Sequence, residues 1–441
     1  MKTINRYIPS LVYNKIQELE FNNKEQLYVI CDMIYRISIY RKENTDYSNI
    51  YRDIPSKYYT DIIADKNNYK KAMDFLKNNS IIECDNIYSK MGGKALGYRF
   101  NSQLVSKLIT VEISKPTIFK RIVNNVNEER NLVNDKYKVY RDFFINNFSI
   151  DYDNSLKYLN MWWEKEHNLL LSLNPSLCSS FLDTMLNIDT PNQCSSFLET
   201  EKSSSSFLKD YIKLNNKYNH LFMSISAIND GNLFFRHNKT NGRIDSNLTN
   251  LKSEFKQFIT TPNLYQIDIV NSQPFILSLL LNSSLCSRFL DGKELRRYTD
   301  WTSAGIFYEM FLKEYFNKTS KVLQRDDIKD IMFCIFYSKN GQYTKEKNIF
   351  KSIFPTIMKY IEEQKNNKHN EFSIKLQKIE SKICIDIISE ELNKNNIKYY
   401  TIHDAWLVDK EDIKITKEII IRKFYDNFYR RPELKIEKIN K

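Results

Sequence analysis

The chain has 441 residues, of which 42% are hydrophobic and 14% aromatic, so it is long enough for two or three globular domains around a sizeable core. It has no run of about 18 apolar residues and no signal-like N-terminus, so we expect a cytoplasmic protein rather than a membrane protein. Its seven cysteines form no Cys-x-x-Cys pair, so we expect reduced cysteines rather than disulfides or zinc ligands. The net charge of +12, from 66 basic and 54 acidic residues, suits a nucleic-acid partner, although biased codon usage would also enrich lysine.

Residues 1–112 are predicted to form a small domain. Apolar periodicity indicates helices, and two strand-like runs, 81–88 and 95–100, are joined by a Gly-Gly turn typical of a β-hairpin. Helices followed by a hairpin resemble a winged helix-turn-helix, which usually contacts duplex DNA but also serves as a protein-interaction module. Basic residues that could contact phosphate are Lys66, Lys70, Lys71, Lys94 and Arg99.

Residues 113–233 are predicted to be a helical, thumb-like region. A degenerate Ser/Phe-rich repeat in residues 176–208 is too short and irregular for a solenoid, and we interpret its serines as N-caps of short helices. It indicates no function. The next stretch, 234–251, is dense in polar and basic groups and has a turn at Asn241-Gly242. It is either a surface β-turn or an ordered loop that presents Arg243 to a phosphate or base edge.

Two apolar strands each carry one aspartate. Residues 264–269 are β-branched and aromatic and contain Asp268, and a second such run, 399–408, is interrupted by His403 and Asp404. An ionised carboxylate in an apolar strand is costly unless it is paired or bound to a cation. Asp268 alone could simply cap the helix that follows. Two such strands together are what a divalent-metal site for phosphoryl transfer requires.

A stripe of four side chains follows one face of a predicted helix over residues 325–341. Arg325, Lys329, Phe333 and Tyr337 recur every four residues, so each lies one turn above the last with a drift of about 40°. The cations could meet a triphosphate and the aromatic rings a sugar and base. An ordinary amphipathic helix with solvated cations is the alternative.

These segments, in this order, resemble the family A DNA polymerases and, more distantly, the single-subunit phage-type RNA polymerases, over roughly residues 235–410. Arg243 falls in a stretch similar to the family's Thr-Gly-Arg-Leu-Ser segment, whose arginine touches the primer end. The Asp268 strand looks like motif A and His403-Asp404 like motif C, which supply the metal ligands. The stripe from Arg325 to Tyr337 is similar to motif B, the fingers helix.

The resemblance implies an α+β right-hand fold, with an antiparallel palm sheet, helical fingers and thumb, and a winged helix in front. The implied domains are 1–112, 113–233 and 234–441. It implies that Asp268 and Asp404 hold two Mg²⁺ ions, or Mn²⁺, about 3.5–4 Å apart for nucleotidyl transfer between a DNA primer-template and dNTPs.

The motif B residues also receive roles from the resemblance. The cations Arg325 and Lys329 would hold the incoming triphosphate, and Lys329 would act in catalysis. The aromatic rings of Phe333 and Tyr337 would pack on the nascent pair. His403 would contact the primer terminus, although a histidine before an aspartate could equally be structural.

Three positions depart from the family pattern. Gln273 stands where the DNA enzymes have a glutamate that blocks a 2′-hydroxyl and the phage-type RNA polymerases have a small residue, so its bulk favours deoxynucleotides. Ala405 replaces the motif C glutamate, and Ser338 stands where motif B usually has glycine. We find no candidate proofreading exonuclease.

We therefore predict a template-directed DNA polymerase that replicates a phage, plasmid or mobile element. A primase or RNA polymerase, with RNA as a partner, would use the same carboxylates but start de novo from NTPs. A template-independent nucleotidyltransferase would extend an end with no template. A replication-initiation or regulatory DNA-binding protein with a degenerate palm is the non-catalytic alternative, and retention of both aspartates argues against it.

Overall fold

The computed structural model describes residues 2–40, 51–63, 66–91, 93–131, 135–173, 202–283, 290–366 and 368–439. These residues form two compact units, one from 1–132 and 149–233 and the other from 133–148 and 234–441. Most of the Ser/Phe-rich stretch predicted at 176–208 lies outside the described residues. The division into domains at residues 112 and 233 stays a prediction.

The first unit opens with a mixture of helices and short strands. Its elements are β1 (Ile4–Pro9), α1 (Ser10–Glu18), α2 (Lys24–Tyr40), β2 (Arg52–Asp53), α3 (Ser56–Ile62), α4 (Lys66–Asn78), β3 (Ile82–Cys84), β4 (Gly97–Phe100), β5 (Leu108–Ile113) and α5 (Pro116–Asn131). β1 pairs with β5, and β4 lies between β2 and β3 in an antiparallel sheet. Thus β3 and β4 form a hairpin in the segment where the sequence predicts one.

The helices around this hairpin share one apolar core. α2 and α4 bury Leu27, Ile34, Ala72 and Leu76 in it. After α6 (Lys138–Asn147), which belongs to the second unit, the long helices α7 (Tyr152–Ser172) and α8 (Lys202–Asn229) pack along each other in the first unit. The described part of residues 113–233 is therefore largely helical, as expected.

The second unit contains a four-stranded antiparallel sheet in the order β11-β8-β10-β9. Its remaining elements, in chain order, are β6 (Phe235–His237), β7 (Ile244–Ser246), α9 (Asn247–Asn250), β8 (Leu264–Ile269), α10 (Ser272–Leu281), α11 (Gly292–Ser303), α12 (Phe307–Thr319), α13 (Arg325–Tyr337), α14 (Thr344–Ile353), α15 (Pro355–Gln364), α16 (Glu371–Ser381), a π-helical segment (Lys382–Ile388), α17 (Ser389–Lys394), β9 (Tyr399–Ile402), β10 (Ala405–Asp409), α18 (Ile413–Phe428) and β11 (Leu434–Lys438). Helices with small antiparallel sheets confirm the expected α+β class.

Two helices of the second unit are defined by their surroundings. α10 is apolar nearly all round and lies buried, as such a helix must. No single helix runs through residues 300–316, because Gly305, with a φ of +72°, separates α11 from α12. A Cβ at Gly305 would lie 2.9 Å from the Glu433 side chain, so only glycine fits this turn.

Among the described residues, every helix is too short or too polar to cross a membrane.

Candidate active site

Asp268 and Asp404 lie at the same end of two neighbouring strands. Asp268 is in β8, and Asp404 immediately precedes β10. In the antiparallel register Asp268 pairs with Ala405, the residue next to Asp404. Directly opposite residues of such a pair hold their Cβ atoms about 4.5–5.5 Å apart. The register therefore brings together two carboxylates from distant parts of the sequence.

Burial and neighbouring charges perturb both carboxyl groups. Burial first, and then the charge of Asp404, raise the pKa of Asp268 to about 7 against the opposing charge of Lys256. Burial also raises the pKa of Asp404, and the nearby Ser272 hydroxyl acts against that rise. Like charges held together in a low dielectric favour a bound proton or a cation between them.

The backbone beside the carboxylates is held in the left-handed region at two places. His403, the first residue of the two-residue turn between β9 and β10, has φ +53°, and Asn271, before α10, has φ +55°. Each such residue costs about 1–2 kcal/mol, and such strain clusters at functional sites. The buried Asn271 amide has no hydrogen-bond partner for its Oδ1 or Nδ2 among the described residues, which leaves it available to a ligand.

Lys256 is a site residue that the sequence did not reveal. It lies in a short 3₁₀ helix, Ser253–Phe258, and its Nζ donates to Gln266 Oε1 at 3.3 Å. Burial lowers the pKa of Lys256, while the charges of Asp268 and Asp404 raise it. The lysine therefore supplies a positive charge beside the carboxylate pair. A single lysine in a polar loop gives no sequence signal that would separate it from the other lysines.

Arg243 is presented by an ordered loop, and not by a free surface turn. Gly242, with φ +78°, lies so close to Ser381 that an added Cβ would meet the serine Cβ at 3.0 Å. The Ser381 hydroxyl donates to the Asn241 carbonyl oxygen at 3.1 Å. These contacts fix the β6–β7 loop against the end of α16, immediately beside Glu380.

Glu380 is the second site residue absent from the sequence prediction. Arg243 Nε and Nη2 donate to its two carboxylate oxygens at 2.8 and 2.9 Å. Burial and the charge of Asp404 raise the pKa of Glu380 to about 8, although Arg243 lowers it. The carboxylate of Glu380 thus joins Arg243 to the electrostatics of the aspartate pair.

Gln273 is fixed from both ends of its amide. Its Nε2 donates to Glu380 Oε2, and the Tyr337 hydroxyl donates to its Oε1 at 2.7 Å. Tyr337 is the last residue of α13, and Phe333, 64% exposed, lies with its ring centroid 4.4 Å from the Tyr337 ring centroid. The structure therefore brings Gln273 and Tyr337 together at the start of α10.

The two cations of α13, Arg325 and Lys329, lie nearer the N-terminal end of the helix. Arg325 Nε is 2.7 Å from Glu309 Oε1, and its guanidinium lies 5.1 Å from the centroid of the Tyr308 ring. Burial first, and also the charge of Asp404, raise the pKa of Tyr308 to about 12 against the opposing charge of Arg325, which places Tyr308 within electrostatic reach of Asp404. Lys329 Nζ is 2.7 Å from Asp326 Oδ1. Both cations are exposed, and their contact with a triphosphate stays a prediction.

The donor set fits a cation shared with substrate. Within the described ranges, no group of three or more His, Cys, Asp or Glu side chains is placed to hold a metal ion. The two carboxylates of Asp268 and Asp404 are nevertheless the usual protein share of a Mg²⁺ site that completes its shell with water and phosphate oxygens. Their raised pKa values are what a bound divalent cation would relieve.

Comparison with known proteins gives a weak structural likeness to a DNA polymerase domain. No protein-family model matches the chain, and no curated protein matches it in sequence. Among solved structures, the POL domain of Pol1 from M. smegmatis, in complex with DNA primer-template and dNTP, is similar with a TM-score of 0.45 and 10% sequence identity, over 73% of this chain and 72% of that one. A DNA polymerase domain is thus a distant structural neighbour, and nothing in the functional proposal depends on that likeness.

Proposed function

We propose that the chain is a nucleic-acid polymerase with a right-hand core that performs template-directed DNA synthesis. The observation that carries the proposal is the pair of half-buried carboxylates of Asp268, in β8, and Asp404, immediately before the neighbouring antiparallel strand β10. A structural role explains this pair poorly, because two desolvated acids that repel each other destabilise a fold unless a ligand compensates them. The amide of Asn271, which has no hydrogen-bond partner among the described residues, also indicates a ligand.

Asp268 and Asp404 would hold two Mg²⁺ ions, or Mn²⁺, which would supply activation of a primer 3′-hydroxyl and charge neutralisation at the leaving pyrophosphate. Arg325 and Lys329 would bind the β- and γ-phosphates of a dNTP. Both are now paired with acidic residues at the surface. Exposed ion pairs are worth only about 0–1 kcal/mol, so a triphosphate can displace them at little cost.

The remaining residues would orient the nucleic acid. Phe333 and Tyr337 would pack on the nascent base pair, with Gln273 held by Tyr337 against the sugar of the nucleotide. Arg243 uses Nε and Nη2 for Glu380, which leaves Nη1 to face the primer strand. His403 would contact the primer terminus from the turn that carries Asp404.

Primer extension with the purified chain tests the proposal. Asp404→Asn removes a negative charge without changing shape and should abolish incorporation while leaving the fold and DNA binding intact. Asp426→Asn, on the exposed side of α18, is the matched control and should extend normally. Full activity of Asp404→Asn would refute the site. Assays with NTPs, without primer and without template separate a primase, an RNA polymerase and a template-independent transferase from the proposed enzyme.

We further propose that the first 112 residues act as a winged helix on duplex DNA. The order of α2, β2, α3, α4 and the β3–β4 hairpin supports this. Lys70 and Lys71 are exposed on α4, whereas Lys94 and Arg99 form ion pairs with Asp85 and Glu83. The Lys66 side chain lies outside the described residues. Replacing Lys70 and Lys71 with glutamate should weaken duplex binding without altering extension of a saturating primer-template.

A further inference from the structure

The second unit has a cavity that is lined by none of the residues of the candidate active site. It has a volume of about 820 Å³ and lies between α11 and the C-terminal end of α18. Ligand pockets usually measure roughly 300–1,000 Å³, so this volume accommodates a small molecule or part of a polymer. None of the roles proposed above uses this cavity.

The lining of this cavity is basic and aromatic. Arg296, Arg430 and Arg431 line it, with Asp300 as their acidic neighbour. Within the described part of the chain, none of these arginines forms an ion pair with a carboxylate, in contrast to Arg325 and Lys329 of α13. Arg430 Nη2 donates to Asn282 Oδ1 at 3.1 Å, while its buried Nε has no hydrogen-bond partner among the described residues. Unpaired guanidinium groups around a cavity favour an anion, and phosphate above all.

Two tyrosines add flat apolar surface to the same cavity. Tyr425 is 45% exposed and Tyr429 72%, with ring centroids 6.0 Å apart. The Arg431 guanidinium lies 5.0 Å from the Tyr425 ring centroid. Tyr429 has φ +54°, which places it at the end of α18 where the chain turns. Exposed aromatic rings beside arginines are the usual means of holding unpaired bases and their phosphates together.

The backbone connects this cavity to the carboxylate pair by two routes. α10, a ten-residue helix about 15 Å long, begins shortly after Asp268 and ends just before Asn282, which lies in the cavity wall. On the other side, the segment after Arg431 leads directly into β11, in which Lys435 pairs with Asp268. A ligand in the cavity therefore lies within the reach of a few nucleotides from the carboxylates.

We infer that this cavity binds a single-stranded segment of nucleic acid, with phosphates on Arg296 and Arg431 and a base against Tyr425 or Tyr429. The inference takes its ligand class from the proposed function and adds a strand contact outside the reaction centre. It needs neither incorporation nor metal, so it can be tested by binding alone.

The first experiment is photocrosslinking of the full-length chain to a short single-stranded oligonucleotide that carries 5-iododeoxyuridine, without Mg²⁺ and without nucleotides. We expect adducts on Tyr425 or Tyr429, located by mass spectrometry. Adducts found only elsewhere would overturn the inference. A Tyr429 adduct on a chain that cannot extend a primer would support the inference and count against the proposed function. Primer extension with no adduct at either tyrosine would support the proposed function and overturn this inference.

The second experiment measures oligonucleotide affinity against salt for the double variant Arg296→Gln/Arg431→Gln. Both side chains are exposed, so folding should be unaffected. Loss of two phosphate contacts should reduce the slope of log K against log salt by about 1.4, at roughly 0.7 per contact for a single strand. Lys414→Gln/Lys417→Gln removes the same charge from exposed positions earlier on α18 and should leave the slope and the crosslink unchanged.

Two further results, one from each experiment, would overturn the inference. Equal losses in both double variants would show that the oligonucleotide responds to general surface charge. Competition for the crosslink by a free nucleoside triphosphate as effectively as by unlabelled oligonucleotide, compared at equal phosphate concentration, would make the cavity a nucleotide site and not a strand site.

Discussion

Arg243 and Glu380 form a bidentate ion pair, with Nε–Oε1 and Nη2–Oε2 distances of 2.8 and 2.9 Å. The same carboxylate accepts a hydrogen bond from Gln273, which also accepts one from Tyr337. Three side chains from three other segments, Arg243, Gln273 and Tyr337, are therefore fixed through one buried acid. Since Asp404 acts electrostatically on Glu380, this network is part of the carboxylate site and not a separate structural feature.

Glu380→Ala should destabilise the fold strongly. The substitution leaves the Arg243 guanidinium without its partner in a largely buried position, and breaking such a pair costs about 3–5 kcal/mol. Urea unfolding measures the loss. Glu371→Ala, at the exposed start of the same α16, should change stability by less than about 0.5 kcal/mol. Equal effects of the two substitutions would contradict the role assigned to Glu380.

The pH dependence of the unfolding free energy should reveal the titration of the Asp268 carboxyl group. Burial and Asp404 raise the pKa of Asp268 from 3.8 to about 7, so the folded chain binds this proton more tightly than the unfolded chain. Without metal, the contribution of Asp268 to stability is therefore lost as the pH rises between those two values. Asp268→Asn should flatten this part of the curve of unfolding free energy against pH. A curve of unchanged slope in the variant would show that Asp268 titrates normally.

Mg²⁺ should reverse that loss, because it binds the ionised carboxylates. At a concentration 100 times its Kd, a ligand of the folded state stabilises it by about 2.7 kcal/mol. We expect a clear rise of Tm with Mg²⁺ at pH 8 and a much smaller one at pH 5. Asp404→Asn should lose the rise, and Asp426→Asn should keep it. A rise that is equal in all three proteins would place the bound ion elsewhere.

The sequence predicted those parts of the site that local patterns encode. The β-branched run that contains Asp268 predicted the strand β8. The run at 399–408, interpreted as one strand, is instead two strands, β9 and β10, with Asp404 in the turn between them, and the antiparallel pairing of β8 with β10 places the two aspartates side by side. The four-residue spacing from Arg325 to Tyr337 gave the helix α13. Such patterns survive because burial of one face of a strand or helix requires them.

The missing parts depend on contacts between distant segments. Glu380 is one of several charged residues on the amphipathic helix α16, and nothing in its neighbourhood in the sequence indicates that Arg243 will meet it. Lys256 is equally inconspicuous, although the two aspartates act on it. The break at Gly305 was also hidden, because the apolar residues on both sides continue a helical period and only the approach of Glu433 requires the turn.

Gln273→Gly should relax the preference for deoxynucleotides. The amide of Gln273 is held by Tyr337 and Glu380, so it cannot swing away from a 2′-hydroxyl without breaking two hydrogen bonds. We expect the ratio of kcat/KM for dNTP over NTP to fall by about tenfold or more, equivalent to about 1.4 kcal/mol. Tyr337→Phe removes one of the two bonds and should give a smaller change. An unchanged ratio in Gln273→Gly would place sugar selection at another residue.

His403→Gly separates the structural role of this turn from its proposed contact with the primer. The left-handed conformation of His403 costs about 1–2 kcal/mol that glycine avoids, while glycine adds about 0.5–1 kcal/mol of unfolded-state entropy. Stability should thus stay the same or rise by up to about 1.5 kcal/mol in urea unfolding. The KM for primer-template should nevertheless increase, since the imidazole is gone. His403→Asn, which also tolerates this conformation, is the control for backbone geometry. Normal primer affinity in both variants would leave His403 with a purely structural role, set by the tight turn that carries Asp404.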